Sequence, residues 1–344
     1  MSRETDMWLN NYTLVGYTAQ RGNAWHYRQH LQGTESNHYE FAIPVDDVNR
    51  RLFNFRVEDR PIFIRKASGE YVMVEERKAM VRDDNDVVLG IFKGGYEGHQ
   101  YQEWLLENVA TILDDDLGIG SAGLLRNGGQ AWVSVEVPEN ITTPEGVDFR
   151  PNLLACTSFD GSLATTYKRV ITRVVCDNTA EQARSEEGQQ FKVRHTKWSG
   201  MKIVDAREAL HIVHTMTDDF MKEVAALTAW KVSDAEFTTH MELMVPISDD
   251  HKKIGITKAE KKRAEVINLW HHDDRVAPWK NTAFGVAQAY NTWQQHFATV
   301  RKGVPREVRN MENLVTGKTG NLDRDVLTVL ADVVPNDMAL AVTA

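Results

Sequence analysis

Lys168, Arg169 and Arg173 fall within six positions of the segment YKRVITRVVC, whose apolar and polar residues alternate as a strand requires. Side chains of a strand point to opposite faces in turn, so Tyr167, Arg169, Ile171 and Arg173 share one face and Lys168, Val170, Thr172 and Val174 the other. At about 3.3 Å per residue the two arginines stand roughly 13 Å apart, which suits successive phosphates of an extended polynucleotide. Farther along, Lys192, Arg194, Lys197 and Lys202 surround Trp198. Single strands are held by cations that track the backbone and by aromatic faces on which bases stack, each worth about 1–3 kcal/mol. The residues expected to touch nucleic acid are therefore Tyr167, Lys168, Arg169, Arg173, Lys192, Arg194, Lys197 and Trp198, with Tyr167 and Trp198 stacking bases and the cations on phosphates. The competing reading is a solvated basic strand above a core tryptophan.

Other chemistry-bearing strings are weaker. Gly118 to Gly123 matches G-x-G-x-x-G in form, but it follows an acidic helix end and precedes a hairpin, so turn glycines are the better reading. VTGKTG lacks a phosphate loop's upstream glycine, because that position is Glu312. His271, His272, Asp273 and Asp274 are consecutive, and consecutive helical residues point about 100° apart, so they read as a solvated helix end rather than a metal site. His26, flanked by aromatics, reads as a packed imidazole. Asp114, Asp115 and Asp116 read as a helix C-terminus, with a Mg²⁺-dependent nuclease as the enzymatic alternative. No G-x-S-x-G and no H-E-x-x-H occurs. The census gives no catalytic residue, no metal ligand set and no cofactor, and it argues against an enzyme.

The elements that must hold the basic strand follow from pattern and turn chemistry. The 344 residues can bury a sizeable core, and the formal charge of −9 is unevenly spread. Residues 251 to 320 hold thirteen Lys/Arg against six Asp/Glu, so basic stripes lie on an otherwise acidic chain. No apolar run approaches the roughly 18 residues of a membrane span, nor does the N-terminus read as a signal peptide, so a cytoplasmic protein with no membrane partner is expected. Cys156 and Cys176 sit in apolar runs and read as buried free thiols.

Residues 60 to 176 read as strands separated by turn signals at Asp83 to Asp86, Asn127-Gly128-Gly129 and Asp160-Gly161. Between them, Tyr101, Trp104, Leu105, Val109 and Ile112 share one helical face and should cover the sheet. Asn178 and Glu181 have capping-box spacing, which predicts a strand-to-helix junction after Cys176. From Ile203 to Leu227 apolar residues recur every three or four positions, a long seam that could pack within the chain or on another subunit. Helices are also expected at TKAEKKRAEVINLW and around Val286, Tyr290, Trp293 and Phe297. The fold class is α+β: an antiparallel β-sheet with hairpins and a covering helix, followed by a mostly helical C-terminal half. The expected division is an α+β domain over 1–200, a helical region over 201–300, and a linker-like segment and tail over 301–344.

RGNAWHYRQHLQG, GYEGHQYQEW, LLRNGGQAWVSVEV, FDGSLA, TRVVCDNTAEQAR with RHTKW, and NTAFGVAQAYNTWQQH together resemble the phage/plasmid-like protein family of bacteriophages, plasmids and mobile elements. That family is catalogued as a domain of unknown function. Phe284 stands where it usually carries tryptophan. The resemblance implies the cytoplasm of a bacterial host and no established catalytic residues. By fold analogy the strand and helix order is similar to single-strand annealing recombinases of the RecT and Red-beta kind, which act as rings or filaments without ATP. The expected function is ATP-independent binding and annealing of single-stranded DNA by a homo-oligomer, in recombination or replication. The alternatives are an oligomeric structural or interaction protein of a phage, and the nuclease.

Overall fold

A computed structural model describes residues 7, 9–24, 27–113, 117–173, 178–180, 190–193, 213–247, 253–302, 304, 306, 309–310, 313 and 318–335. They form two compact units. The first comprises the described residues of Met1–Glu139, Asn152–Arg169 and Gly188–Ile212; the second those of Asn140–Pro151, Val170–Glu187 and Val213–Ala344. The division is therefore interleaved rather than sequential, and it does not fall at residues 200 and 300.

The larger sheet of the first unit contains β1 (Thr13–Val15), β5 (Gly118–Leu125), β6 (Gln130–Glu136), β8 (Asp148–Ser158) and β9 (Thr165–Arg173), adjacent in that order, with β11 (Gln190–Val193) on β9. Its ladders β1–β5, β5–β6, β6–β8 and β9–β11 are antiparallel. All seven residues of β6 are buried, so both faces of the sheet are covered here. The G-x-G-x-x-G string is strand β5, not a turn, and its glycines permit close approach. A Cβ on Gly123 would fall 2.0 Å from the Trp132 ring, and one on Gly120 would fall 2.5 Å from the Glu136 carboxyl carbon.

Two short helices, α1 (Thr18–Arg21) and α2 (Val45–Arg51), flank this sheet in sequence. A covering helix winds as a π-helix over Gln102–Glu107 and continues as α3 (Asn108–Ala110). Tyr101, Leu105, Leu106 and Val109 are buried, with the Tyr101 ring near Phe53, Phe55 and Phe159. The wider π-turn shifts the buried stripe, leaving Trp104 and Ile112 half-buried.

A second, three-stranded antiparallel sheet has the order β2 (Val57–Arg65), β3 (Tyr71–Arg82), β4 (Val88–Lys93). The turn signals read from sequence are all realised with left-handed backbone, at Asp86 (φ 58°), Asn127 (φ 57°), Gly128 (φ 91°) and Gly161 (φ 74°).

In the second unit, β7 (Ile141–Thr142) pairs with the start of β8, and β10 (Asn178–Ala180) pairs with the end of β9. Asn178 therefore belongs to a hairpin partner of Arg173, not to a helix cap. The ladder satisfies the backbone groups that a helix start would otherwise claim. This unit also holds helices α4 (Val213–Ala229), α5 (Asp234–Met244), α6 (Lys253–His272), α7 (Ala283–Thr292), which continues as a π-helix over Trp293–Phe297, and α8 (Lys318–Val333). Phe220, Val224 and Leu227 of the expected seam are at most 2% exposed, so this part packs within the chain; Ile203 to Leu210 lie outside the described residues.

Ser233 and Glu236 form a reciprocal capping box at the start of α5. Phe284 is buried on α7 and meets the Trp279 ring edge-on at 5.2 Å. In the described part of the segment expected to be a linker and tail, Arg306 and Arg309 donate to the carbonyls of Ala298 and Gln294, and Val326, Leu327 and Leu330 of α8 are buried.

Candidate nucleic-acid interface

The strand that carries the sequence signal turns inward at its first half. Tyr167 is 7% exposed, its hydroxyl donates to the Trp104 carbonyl, and Asn108 Nδ2 donates to that hydroxyl at 2.8 Å. Burial, the largest cause, pushes the phenol well above its ordinary pKa. Lys168 is 3% exposed. Neither side chain can reach a polynucleotide in this conformation, which corrects the expectation that Tyr167 stacks a base and Lys168 meets a phosphate. The covering helix accounts for Tyr167, whose face it claims; Lys168 points to the other side and is buried as well. The side chains of Arg169, Arg173 and Lys192 lie outside the described residues, as do Arg194, Lys197 and Trp198 entirely. Their backbones, where described, place Arg173 opposite Asn178 and Lys192 opposite Thr166.

The open surface of the first unit is the β2–β3–β4 sheet. Ladder partners of an antiparallel sheet point to the same side, so Phe63 shares a face with Met73, Arg65 with Tyr71, and Arg77 with Lys93, a register shift between Pro61 and Phe63 separating the first two pairs from the third. On this sheet Phe63 is 54% exposed, Tyr71 66%, Met73 47% and Ile91 55%, an unusual density of solvated apolar area. Next to β4 one side faces inward, where Met80 is buried and Phe92 stacks on Tyr96 with ring centres 3.9 Å apart, whereas Ile64, on the side opposite Phe63, is 57% exposed. Tyr96 is held in turn by the Ser158 carbonyl at 3.1 Å.

Charge on the open face is arranged unevenly. Arg60 is neutralised by Asp86 and Glu58, and Lys66 by Glu70. Arg65, Arg77 and Lys93 are exposed, and none of them forms an ion pair among the described residues. Arg77 and Lys93 oppose one another directly. Like charges at opposed positions destabilise a sheet, so the apo surface carries an unfavourable contact that an anion between them would relieve. The sheet thus offers three cations, together with the exposed Glu75, among aromatic and aliphatic side chains, the chemistry first sought on β9. The sequence held the same alternation, Phe63 with Arg65 and Tyr71 with Met73, in a stretch read only as strands.

Other polar clusters of the first unit are internal struts. Arg21 bonds Glu136 at 2.6 Å and the Val137 carbonyl, and its guanidinium lies 4.7 Å from the Tyr17 ring centre. His99 contacts Thr165 at 2.6 Å and stacks on Trp104. A cavity of about 410 Å³ is walled by Phe41, Ile43, Leu113, Leu117 and Pro138, with no charged residue in its lining among the described residues. Among the described residues, no cluster of His, Cys, Asp and Glu could hold a metal ion; Asp114 to Asp116 and His26 lie outside them. In the second unit, Asp273 is engaged by both nitrogens of the Arg275 fork, and His271 contacts Lys280. Cys156 is a buried free thiol, as expected; Cys176 lies outside the described residues. No helix among the described residues is long and apolar enough to cross a membrane.

Residues 88–315 match the family described as Domain of unknown function (DUF932). The chain belongs to the DUF932 family. The matched region begins at β4 and takes in β5 to β11 and helices α4 to α7, so β2 and β3 precede it entirely. No curated protein and no solved structure matches this DUF932 chain.

Proposed function

We propose that this protein binds single-stranded nucleic acid without sequence preference and promotes annealing, acting as a homo-oligomer without ATP in the replication or recombination of a phage or mobile element. The observation that carries the reading is the directly opposed Arg77 and Lys93, on a sheet that also exposes Phe63, Tyr71 and Met73. Cations there meet phosphates, and the aromatic rings stack bases of any identity. Arg169, Arg173, Lys192, Arg194, Lys197 and Trp198 remain part of the proposal as a second stretch of the track. The resemblance to phage and plasmid proteins and the fold analogy to annealing recombinases supply the context, and the cytoplasm of a bacterial host goes with them.

Fluorescence anisotropy of a labelled oligonucleotide over a salt series tests the reading. Affinity that falls linearly in log–log form with salt supports it, since each phosphate contact releases counterions. Absence of binding at low salt leaves the alternative of an oligomeric structural protein, for which the same exposed apolar face would be a protein contact.

A further inference from the structure

β2 and β4 are the two edges of the three-stranded sheet, and they are treated differently. The edge of β2 is obstructed. The Gln100 amide bonds both the N–H and the carbonyl of Val57, at 3.1 and 2.8 Å, Pro61 supplies no N–H, and Glu58, Asp59, Arg60 and Arg65 charge the strand. These are the devices by which proteins prevent edge pairing. β4 has none of them over most of its length. Its sequence VLGIFK holds no proline and a single charge at its last position, and its bulge is confined to its start, beside Val88. Val88 and Ile91 are 56% and 55% exposed. Among the described residues, the backbone groups of 88–92 bond only to β3.

We infer that β4 pairs with β4 of a second copy of this chain, antiparallel across a two-fold axis, joining two three-stranded sheets into one of six. The occupant follows from charge and pattern. An uncharged, apolar edge offers nothing to select an acidic or basic peptide, while it complements itself: with Ile91 on the axis, Gly90 faces the partner's Phe92 and Lys93 faces the partner's Leu89. No like charges are opposed in that register. Because β2 is obstructed, growth stops at two copies, the closed assembly an isologous contact produces. The inference goes beyond the nucleic-acid reading and stands on the sheet edge alone.

Light scattering after size exclusion of the full chain at micromolar concentration should give twice the chain mass. Ile91→Lys, which sets two ammonium groups against each other on the axis, should give a monomer with unchanged far-UV circular dichroism. Ile64→Lys, a comparable loss of exposed apolar area on β2, should leave the dimer. Opposed antiparallel residues have Cα atoms about 4.5–5.5 Å apart, within disulfide reach. Ile91→Cys should therefore oxidise to a reducible covalent dimer that the unmodified chain does not form under the same treatment. A monomeric native chain, a dimer that survives Ile91→Lys, or failure of Ile91→Cys to cross-link would each overturn the inference.

Discussion

Arg77 and Lys93 stand directly opposite one another on β3 and β4, both exposed and with no carboxylate paired to either among the described residues. The contact opposes folding and favours an anion, so removing it should act with opposite signs on stability and binding. Arg77→Ala is expected to raise unfolding free energy by about 0.2–1 kcal/mol, the size of an opposed cross-strand interaction. The same substitution should weaken oligonucleotide binding and lower the salt slope by about 0.7, the value for one phosphate contact on a single strand. Urea midpoints and anisotropy titrations on the same preparations measure the two effects.

Phe63 and Tyr71 contribute through ring area rather than charge. Tyr71→Ala and Phe63→Ala should each reduce affinity for a single strand by about 1–3 kcal/mol, with little change in salt slope. Being 66% and 54% exposed, both should leave stability within about 0.5 kcal/mol of the parent. Equal losses in Kd and in unfolding midpoint would argue that the rings are structural.

Tyr167 should behave in the opposite way. Its hydroxyl is tied to Asn108 and the Trp104 carbonyl inside the first unit. Tyr167→Phe removes both hydrogen bonds, while Asn108 Nδ2 still donates to the Trp104 carbonyl at 3.1 Å, so it should cost about 0.5–1.5 kcal/mol of stability, and the affinity of the remaining folded protein for oligonucleotide stays unchanged.

The elements were more legible than their coverage. Turns at Asp86, Asn127-Gly128 and Gly161 follow from residues that tolerate positive φ, a local property, and each was readable in the sequence. So were the helix at Lys253–His272 and the buried Tyr101, Leu105 and Val109. What sequence pattern could not supply was which side of a strand another element occupies. Tyr167 with Arg169 and Phe63 with Arg65 present the same alternation, yet the covering helix closes the first at Tyr167 and nothing described covers the second. Asn178 misled for a related reason: its capping spacing is real, but the preceding strand β9 satisfies the backbone, pairing Asn178 with Arg173.

His240 gives the second unit a pH response. Its Nε2 contacts the Val326 carbonyl at 2.9 Å, Nδ1 faces the Tyr290 hydroxyl at 3.4 Å, and burial, the dominant cause, lowers its pKa from 6.5 to about 4. The neutral imidazole is retained in the folded state while the unfolded chain takes up a proton, so stability is full above pH 6.5 and is lost as pH falls toward 4. The loss should reach about 3 kcal/mol at the lower limit. Denaturant titrations between pH 7 and pH 4.5 should show the decline, and His240→Gln should flatten that part of the profile.

The most direct measurement of the central claim is photocross-linking of a single strand carrying 5-bromodeoxyuridine, followed by mapping of the adducts by mass spectrometry. The account predicts adducts on Tyr71, Phe63 or Met73, diminished by high salt and by Arg77→Ala. Adducts confined to residues outside the β2–β3–β4 face, or none under conditions in which the strand is bound, would contradict it.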